Sequence, residues 1–344
     1  MFVKKLKNFS IINKVIFRCD AGNISELGTG HVYRSINIAN FLKKKFKLKK
    51  KQICFLIKFQ NKLKLGYDIV KKSGYRIIKV DQKIADYSSA EIDMFNKYQS
   101  NLLVIDRLGK VNIKFIDSIK NNYKKKIILE DSSINRKKFD LSINSLIRNV
   151  KFVKNSKIGF EYMILRIKNL KKIKNLKKNL VFLFFGGFDE KNYSVRVLKI
   201  LNNLKFKLNI LAPELYKKKL EKINTFHKLK FFNNKDYLNK LKVSNIVISS
   251  GGLILFDALL MNKKIICLPQ FKHQKKNVEE LHKKKAIKYF FHLNKRNILN
   301  YFIKIYDNPL YEKKIKLIQK HIINLNKVKR NYSLIGKIYE KSIN

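Results

Sequence analysis

Short apolar runs alternate with longer amphipathic, lysine-bearing segments along the chain, and this alternation limits the folds open to it more than any other feature. In the first half, strands are predicted at residues 14–19, 53–58, 75–80, 102–106, 126–130 and 141–144. Helical patterns lie between several of these runs, as at residues 32–43 and 113–121. Because strands buried on both faces of a parallel sheet read as continuous Val, Ile and Leu runs, the pattern predicts a doubly wound α/β fold.

The same pattern restarts after a polar, low-complexity segment at residues 166–179. Strands are then predicted at residues 180–185, 208–212, 229–232, 245–249 and 264–268, and helices at 194–204, 254–261, 278–285 and 312–335. A chain of 344 residues with 45% hydrophobic residues accommodates two domains and excludes global disorder. We predict Rossmann-like domains at 1–165 and 180–344, joined by a linker at 166–179. Their ligand is expected at the carboxyl ends of the strands, in an interdomain cleft.

Lysine dominates the charged residues, and 78 Lys and Arg against 24 Asp and Glu give a formal net charge of +54. A basic protein gains affinity for nucleic acid from phosphate contacts. The lysines occur along almost the whole chain, however, and arginine, the better reader of bases, is scarce in the runs. Since Lys, Asn, Ile and Phe share A/T-rich codons, we attribute the charge to genome composition and expect no specific nucleic-acid partner. The charge would still favour anionic small molecules or peripheral contact with an anionic membrane.

The cysteines point to a reducing compartment. Cys19, Cys54 and Cys267 lie at or near predicted strands, with a spacing that matches neither a metal site nor a disulfide framework. We expect buried thiols in the cytosol. The sequence shows no apolar h-region of a signal peptide and no run long enough to span a bilayer. The expectation is therefore a cytoplasmic monomer with no metal and no cofactor.

A glycine–histidine turn between the first strand and the first helix is the strongest candidate for chemistry. Gly28, Gly30 and His31 stand where glycine lets the backbone approach a ligand and where free helix N–H groups favour an anion. Imidazole exchanges protons near neutral pH, so a histidine beside an anion site is a candidate base. By itself the motif is weak, because a lone histidine is more often structural.

Three charged residues beside this turn strengthen its functional interpretation. Arg18 and Asp20 stand at the carboxyl end of the first strand, where sites form in such folds. Arg34 follows His31 by three residues, roughly on the same helix face. We predict that Arg34 orients a phosphate or carboxylate; a solvated helix arginine is the alternative.

The second half of the chain contains a strand that runs into a pair of glycines. Gly186 and Gly187 would allow close approach of a diphosphate or a base, and Asp189 is suited to cap the next helix. A simple capped turn without ligand explains these residues equally well.

A third turn combines small residues with the start of a helix. Ser249, Ser250, Gly251 and Gly252 can offer hydroxyl and backbone N–H donors to a phosphate. Asp257, about one and a half turns into the helix, could accept hydrogen bonds from ribose hydroxyls, or it could be an exposed helix acid. Two neutral side chains suited to sugar hydroxyls follow the next predicted strand, Gln274 and Asn277.

Together these motifs are similar to those of the UDP-sugar hydrolases of the pseudaminic acid pathway, which act on UDP-2,4-diacetamido-2,4,6-trideoxy-β-L-altropyranose, and of the spore-coat polysaccharide protein G group. The chain also resembles the lipid II-forming N-acetylglucosaminyltransferase, which has a GT-B fold of two Rossmann-like domains. The resemblance spans roughly residues 15–281 and includes Arg18-Cys-Asp20, Gly28-Thr-Gly-His-Val-Tyr-Arg34, Val104-Ile-Asp106, Gly159-Phe-Glu-Tyr162, Leu165-Arg166, Gly186-Gly187, Asp189, Asn192 and Ser249-Ser-Gly-Gly252.

The resemblance implies a GT-B fold with His31 as the catalytic base. It also implies a UDP that lies mainly on the C-terminal domain, at the Gly186 turn, the Ser250–Gly252 turn and Asp257. The sequence departs from the family at Asp257, where the usual acid is Glu, and at residues 107–108, where many relatives have His or Ser followed by Tyr.

The predicted reaction is metal-independent hydrolysis of a UDP-linked diacetamido-trideoxy sugar, which releases UDP and a free sugar for nonulosonic acid synthesis. UDP is a good leaving group, so one neutral histidine that activates water suffices, with base assistance worth about 10²–10⁴-fold. Helix N-termini and Arg34 would stabilise the diphosphate, and direct attack implies inversion.

The alternative is a GT-B glycosyltransferase of surface polysaccharide synthesis, in which His31 deprotonates an acceptor hydroxyl. The sequence separates the two poorly, because water and an acceptor need the same base. A nucleotide-binding protein without catalysis and a nucleic-acid-binding protein are further alternatives. A nucleic-acid-binding protein would show an affinity that falls steeply with salt concentration and does not depend on His31.

Overall fold

A computed structural model describes residues 13–22, 27–107, 109–166, 179–187, 189–233 and 236–344. The described chain divides into two compact units. Of the described residues, the N-terminal unit takes in 13–22, 31–162 and 331–344, and the C-terminal unit takes in 27–30 and 163–330. Most of the predicted linker lies outside the described residues.

The N-terminal unit contains a parallel sheet of seven strands in the order β3-β2-β1-β4-β5-β6-β7. The strands are β1 (Asn13–Cys19), β2 (Ile53–Lys58), β3 (Arg76–Val80), β4 (Ser100–Asp106), β5 (Tyr123–Leu129), β6 (Leu141–Asn144) and β7 (Ser156–Ile158). The helices are α1 (Gly30–Lys45), α2 (Lys64–Ser73), α3 (Ser89–Asn96) and α4 (Ile113–Ile119). The strand order reverses between β1 and β4, and such a switch point is where ligands bind in open α/β sheets.

The C-terminal unit repeats this design with six parallel strands in the order β10-β9-β8-β11-β12-β13. The strands are β8 (Leu180–Phe184), β9 (Asn209–Pro213), β10 (Lys228–Phe232), β11 (Ile246–Ser249), β12 (Lys264–Cys267) and β13 (Lys288–Tyr289). The helices are α5 (Tyr193–Leu201), α6 (Lys217–Leu220), α7 (Tyr237–Val243), α8 (Leu253–Leu260), α9 (Lys272–Lys283), α10 (Lys295–Tyr306) and α11 (Pro309–Ile322). The last helix, α12 (Leu325–Ile343), begins in this unit and belongs to the N-terminal unit from residue 331 onward. Its switch point lies between β8 and β11.

Each sheet is the centre of its own core. Every residue of β4, β8, β11 and β12 is buried, as expected for strands covered on both faces. Phe17 of β1 stacks on Phe55 of β2 with ring centroids 4.8 Å apart. Local signals start the helices on the N-terminal sheet, since the side chains of Ser88 and Asn112 accept backbone N–H groups at the beginnings of α3 and α4.

All predicted strands are present, with ends displaced by three residues or fewer. The single helix predicted at residues 312–335 is wrong, because α11 and α12 are separate. The buried Ile323 has an extended backbone between them, and the Asn324 side chain accepts the backbone N–H of Lys327 at the start of α12. The helix predicted from residue 278 begins earlier, at Lys272.

The end of the chain packs on the N-terminal unit, whereas the sequence placed all of residues 180–344 in the second domain. The amide of Asn101 donates to the carbonyl of Ser342 at 2.8 Å, and the amide of Asn331 donates to the carbonyl of Glu161 at 2.7 Å. Tyr339 is buried there. The amphipathic pattern of α12 predicts a covered face but does not say which sheet covers it.

All three cysteines are free and buried, as predicted. Burial raises the pKa of Cys54 to about 11, so its thiol is protonated at neutral pH. None of the helices in the described ranges has both the length and the apolar character needed to cross a membrane.

Candidate functional site

His31 and Asp106 meet at the carboxyl edge of the N-terminal sheet. His31 lies in the first turn of α1, which follows β1, and Asp106 is the last residue of the neighbouring strand β4. The Nδ1 atom of His31 lies 2.7 Å from Oδ1 of Asp106, and His31 retains 9% of its exposed surface. The topology of the sheet therefore brings an imidazole and a carboxylate together from positions 75 residues apart.

The guanidinium of Arg34 donates two hydrogen bonds to the same carboxylate. Its Nε donates to Oδ2 of Asp106 at 2.7 Å and its Nη2 donates to Oδ1 at 2.5 Å. Burial would raise the pKa of Asp106, but Arg34 and His31 beside it hold that pKa below its usual value. Arg34 itself is only 2% exposed, so the solvated-arginine alternative is wrong. Its guanidinium supports the His31–Asp106 pair from within the protein.

This geometry selects one state of the histidine. A carboxylate can only accept hydrogen bonds, so the His31–Asp106 bond requires the proton on Nδ1. The Nε2 atom of a neutral imidazole is then unprotonated and basic. An oriented imidazole with a buried carboxylate behind it can take a proton from a hydroxyl or from water, and the carboxylate stabilises the imidazolium that forms.

Glu130 anchors the far side of Arg34. It follows β5 with a φ of +57°, a conformation that residues other than glycine rarely adopt. Its carboxylate accepts the backbone N–H groups of Leu146 and Ile147 at 2.9 Å and lies 3.4 Å from Nη1 of Arg34. The carboxylate therefore links the arginine to the turn that follows β6.

Arg18 and Asp20 belong to a separate buried ion network. Arg18 donates to Asp20 at 2.6 Å and to Glu91 at 2.9 Å, and Arg107 donates twice to Glu91 at 2.5 and 2.7 Å. Burial opposes ionisation of Glu91, but Arg107 and Arg18 lower its pKa to about 2. Asp20 also accepts the backbone N–H of Lys58 at 2.9 Å. Arg18 and Asp20 thus hydrogen-bond to other protein groups and join strand ends, and their ligand role stays a prediction.

Sequence reasoning gave no site role to four of these residues. Asp106 and Glu130 carried a usable signal, since each stands at the carboxyl end of an apolar strand as Asp20 does. Arg107 follows Asp106 directly, but Glu91 lies in α3 with no motif around it. Within the described chain, no three His, Cys, Asp or Glu side chains are grouped to hold a metal ion.

The glycines before α1 are described only in part. Gly28 has a φ of +52°, which favours glycine, and Gly30 is the first residue of α1. Residues 23–26 of the same turn lie outside the described residues.

In the C-terminal unit, hydrogen bonds fix the conformation of the turn after β8. Gly186 has a φ of +92°, and its carbonyl accepts the hydroxyl of Tyr216 at 2.7 Å. Asp189 accepts the backbone N–H groups of Tyr193 and Ser194 at 2.8 Å, so its carboxylate caps the start of α5. The capping interpretation of Asp189 accounts for its contacts, and a ligand role for Gly186 and Gly187 stays a prediction.

The turn after β11 leaves polar groups without partners. The hydroxyl of Ser249 is buried and makes no hydrogen bond, and no side chain caps the first turn of α8. A Cβ on Gly251 would lie 2.7 Å from Val278 and 2.8 Å from Gln274, so glycine is needed there for α9 to approach. Unsatisfied N–H groups at a helix start, beside a free hydroxyl, form an arrangement that suits an anion.

Asp257 lies in α8 below this turn. It is 3% exposed, so the exposed-acid alternative is wrong. The hydroxyl of Tyr237 in α7 donates to its Oδ2 at 3.0 Å. Burial raises the pKa of Asp257 to about 7, despite the opposing effects of Tyr237 and Arg166. A carboxylate with so high a pKa and so few partners is a candidate for ligand binding.

Gln274 and Asn277 are buried in α9. The Oε1 of Gln274 accepts the backbone N–H of Gln270 at 2.9 Å, and Gln270 in turn donates to the carbonyl of Phe185 at 2.7 Å. The amide of Gln274 therefore helps to connect the loops after β12 and β8. The predicted contact of Gln274 and Asn277 with sugar hydroxyls stays a prediction.

The whole chain is similar to solved glycosyltransferases. MurG of Acinetobacter baumannii aligns with a TM-score of 0.65 at 14% identity, covering 94% of this chain and 99% of that one. The calicheamicin glycosyltransferase CalG4 aligns at 0.60 and 9%, covering 95% and 98%. The spinosyn rhamnosyltransferase SpnG, solved with thymidine diphosphate, aligns at 0.61 and 8%, covering 94% and 99%. These likenesses confirm the predicted α/β fold of GT-B type, with two Rossmann-like units.

The sequence comparisons are sparser. No family model matches the chain. An uncharacterized protein of Methanocaldococcus jannaschii, MJ1062, is 26% identical over 288 residues, which make up 75% of this chain. The chain spans 56% of the length of that relative. The hydrolase family of the resemblance is not supported by these comparisons, whereas its fold is.

Proposed function

We propose that the chain is a nucleotide-sugar-dependent glycosyltransferase in which His31 is the general base. The observation that carries the proposal is the Nδ1–Asp106 hydrogen bond of 2.7 Å, which Arg34 reinforces through its two bonds to the same carboxylate. The fold shared with MurG, CalG4 and SpnG supports transfer over hydrolysis as the first choice.

The C-terminal unit is proposed to bind the nucleoside diphosphate. The uncapped start of α8 and the free hydroxyl of Ser249 suit a phosphate, and Asp257 suits a pentose hydroxyl. UDP is the nucleotide implied by the sequence resemblance. Gly251 and Gly252 would let the backbone approach the phosphates closely.

The proposed step moves one proton and exchanges one glycosidic bond. The Nε2 atom of His31 takes the proton of the acceptor hydroxyl, and the acceptor oxygen forms a bond to the anomeric carbon. The bond from that carbon to the diphosphate oxygen breaks, and the nucleoside diphosphate leaves with the electron pair. Attack opposite to the leaving group inverts the anomeric centre. The ionised Asp106 stabilises the imidazolium until its proton is lost to solvent.

Hydrolysis of a UDP-linked diacetamido-trideoxy sugar is the second candidate. It is favoured by the run Gly28-Thr-Gly-His-Val-Tyr-Arg34, which carries the resemblance to the pseudaminic acid pathway hydrolases. Water then replaces the acceptor at the same base, and free sugar is released with inverted configuration. The residues of the N-terminal unit serve both reactions alike.

Product analysis separates the two candidates. Purified protein is incubated with a panel of UDP- and dTDP-sugars, with EDTA, with and without surface-polysaccharide acceptors, and followed by ³¹P and ¹H NMR. Transfer predicts nucleoside diphosphate and a glycosylated acceptor only when acceptor is present. Hydrolysis predicts nucleoside diphosphate and free sugar without acceptor.

Two histidine variants make this test specific. His31→Ala is expected to lower turnover by about 10²–10⁴-fold. His292→Ala, which removes an exposed histidine of the C-terminal unit, is expected to leave turnover unchanged. Turnover that persists in His31→Ala, or that no donor supports, would overturn the proposal.

A further inference from the structure

Three basic side chains meet at the carboxyl edge of the N-terminal sheet, the edge that also carries His31. Arg18 lies near the end of β1, Lys58 is the last residue of β2, and Arg107 directly follows β4. The strands β2, β1 and β4 are neighbours in the sheet. The side chains of Arg18, Lys58 and Arg107 are 0%, 12% and 1% exposed. The topology thus gathers three largely buried positive charges, which we call the cation cluster.

Buried acids neutralise only part of the cation cluster. Asp20 accepts a hydrogen bond from Arg18 at 2.6 Å. Glu91 accepts one from Arg18 at 2.9 Å and two from Arg107 at 2.5 and 2.7 Å. Both carboxylates are buried. Two buried acids against three cations leave one positive charge to be balanced, and a charge removed from water is costly until an anion pairs with it.

The third negative charge comes from Asp86, in the loop between β3 and α3. Its Oδ1 lies 3.0 Å from Nζ of Lys58, 3.3 Å from Nη2 of Arg18 and 3.4 Å from Nη1 of Arg107. These contacts are longer than the contacts of the buried acids and than the about 2.7–2.9 Å typical of hydrogen bonds between ions. The side chain of Asp86 is 35% exposed, and residues 81–83 before it are exposed too. Asp86 is therefore the loosely held, solvent-accessible acid of the group.

We propose that Asp86 occupies the place of a substrate carboxylate, and that the cation cluster binds the acidic group of the acceptor when that group displaces Asp86. Asp86 shows that a carboxylate fits, because a single oxygen of it lies within 3.4 Å of all three cations. The displaced side chain turns to solvent, which costs little for a side chain that is already partly exposed.

The charge balance names the class of acceptor. Once Asp86 has left, the cation cluster and its two buried acids carry one net positive charge. A carboxylate of charge −1 balances it, whereas a phosphate dianion exceeds it, and arginine forks match the planar carboxylate. The inference rests on the proposed glycosyltransferase activity and narrows its acceptor to a sugar that bears a carboxylate, as a uronic acid does.

The test measures binding of glucuronate by isothermal titration calorimetry, with methyl β-glucoside as the neutral sugar. In the wild-type protein, glucuronate must compete with Asp86, which is held beside the cations at a high effective concentration. Asp86→Ala removes that competitor from an exposed loop. The variant is expected to bind glucuronate at least about tenfold more tightly than the wild type, with no gain for methyl β-glucoside.

Two further variants locate the effect. Asp81→Ala is the matched control, because Asp81 is an exposed acid of the same loop whose carboxylate accepts the backbone N–H of Lys83 at 2.8 Å. It removes the same charge and is expected to bind glucuronate as the wild type does. Lys58→Gln, added to Asp86→Ala, is expected to abolish the gain, because it removes one cation of the cluster.

Glucuronate binding by Asp86→Ala that is no tighter than by the wild type or Asp81→Ala, or a gain that survives Lys58→Gln, would overturn the inference. Tighter binding of inorganic phosphate than of glucuronate by Asp86→Ala would overturn the carboxylate assignment. None of these titrations requires turnover, so their failure is distinguishable from failure of the donor assays that test the proposed function.

Discussion

At the scale of single residues, the account depends on a histidine whose orientation is fixed by buried side chains of the N-terminal unit. Asp106 holds Nδ1 of His31, and Arg34 holds Asp106. Each link is buried and short, so the imidazole is positioned before any ligand arrives. Changing a link should therefore affect activity more than nucleotide affinity.

Asp106→Asn tests this positioning. The amide is expected to lower turnover by about 10²–10⁴-fold, because it no longer enforces the proton on Nδ1 or stabilises the imidazolium. It also removes the ionised group that accepts two hydrogen bonds from the buried Arg34 and leaves Glu130, 3.4 Å from Nη1, as the remaining carboxylate partner, so the free energy of unfolding should fall by about 1–3 kcal/mol. Steady-state kinetics and urea unfolding measure the two effects. Full activity in Asp106→Asn would show that His31 works without the carboxylate.

Asp257 predicts a pH dependence of nucleotide binding. Its pKa of about 7 means that the carboxylate gains a proton as the pH falls through neutrality. If the ionised form accepts the pentose hydroxyl, affinity for UDP should drop about tenfold between about pH 8 and about pH 6. Calorimetry on Asp257→Asn supplies the control, because the titration of the nucleotide itself is common to both proteins. Parallel pH profiles would remove Asp257 from the site.

The raised pKa of Asp257 also predicts a pH dependence of the free energy of unfolding. Its sign is opposite to that of a salt-bridged acid, whose pKa is lowered by folding. The folded protein keeps the Asp257 proton up to about pH 7, whereas an unfolded chain releases it near its usual value of 3.8. The folded state therefore binds more protons in that window, and stability falls as the pH rises from about 4 to about 7. Asp257→Asn is expected to unfold at a higher temperature than the wild type at pH 8, with weaker nucleotide binding.

At the scale of elements, the two glycines before α8 serve different purposes. A Cβ on Gly251 would meet Val278 at 2.7 Å and Gln274 at 2.8 Å, while a Cβ on Gly252 would meet nothing within 4 Å. Gly251→Ala is therefore expected to push α9 away and to cost about 1–3 kcal/mol of stability. Gly252→Ala is the matched control and should unfold close to the wild type in thermal melts. Equal melting of the two variants would contradict the packing argument.

The strands, and the candidate residues at their ends, were accessible from sequence because both depend on local patterns. Buried parallel strands give apolar runs, and the turns predicted after two of them contain His31 and Ser249, which the sheet order places next to the switch points. Partnerships across the sheet were not accessible, since nothing near Arg34 in the sequence indicates that it would bind Asp106, 72 residues away. The ion network of Arg18 was not accessible for the same reason, because Glu91 lies 73 residues from Arg18.

At the scale of the whole molecule, the C-terminal segment from Asn331 onward stabilises the N-terminal unit. Tyr332 and Tyr339 of this segment are buried, and the carbonyl of Ser342 accepts one hydrogen bond from the Asn101 side chain. Deleting residues 331–344 is expected to lower the melting temperature of the N-terminal unit selectively. Calorimetric scans with and without UDP can assign the transitions, because UDP should stabilise the C-terminal unit by mass action. A uniform loss in both units, or no loss, would contradict this assignment.

The central claim is that His31 moves the proton in a nucleotide-sugar reaction. The most direct measurement is turnover of the best donor by His31→Gln, with the dissociation constant for UDP determined on the same preparation. We predict a dissociation constant within about threefold of wild type and a turnover at least about 100-fold lower, as expected for loss of a general base alone. Turnover near the wild-type value, or a loss explained entirely by weaker UDP binding, would contradict the claim.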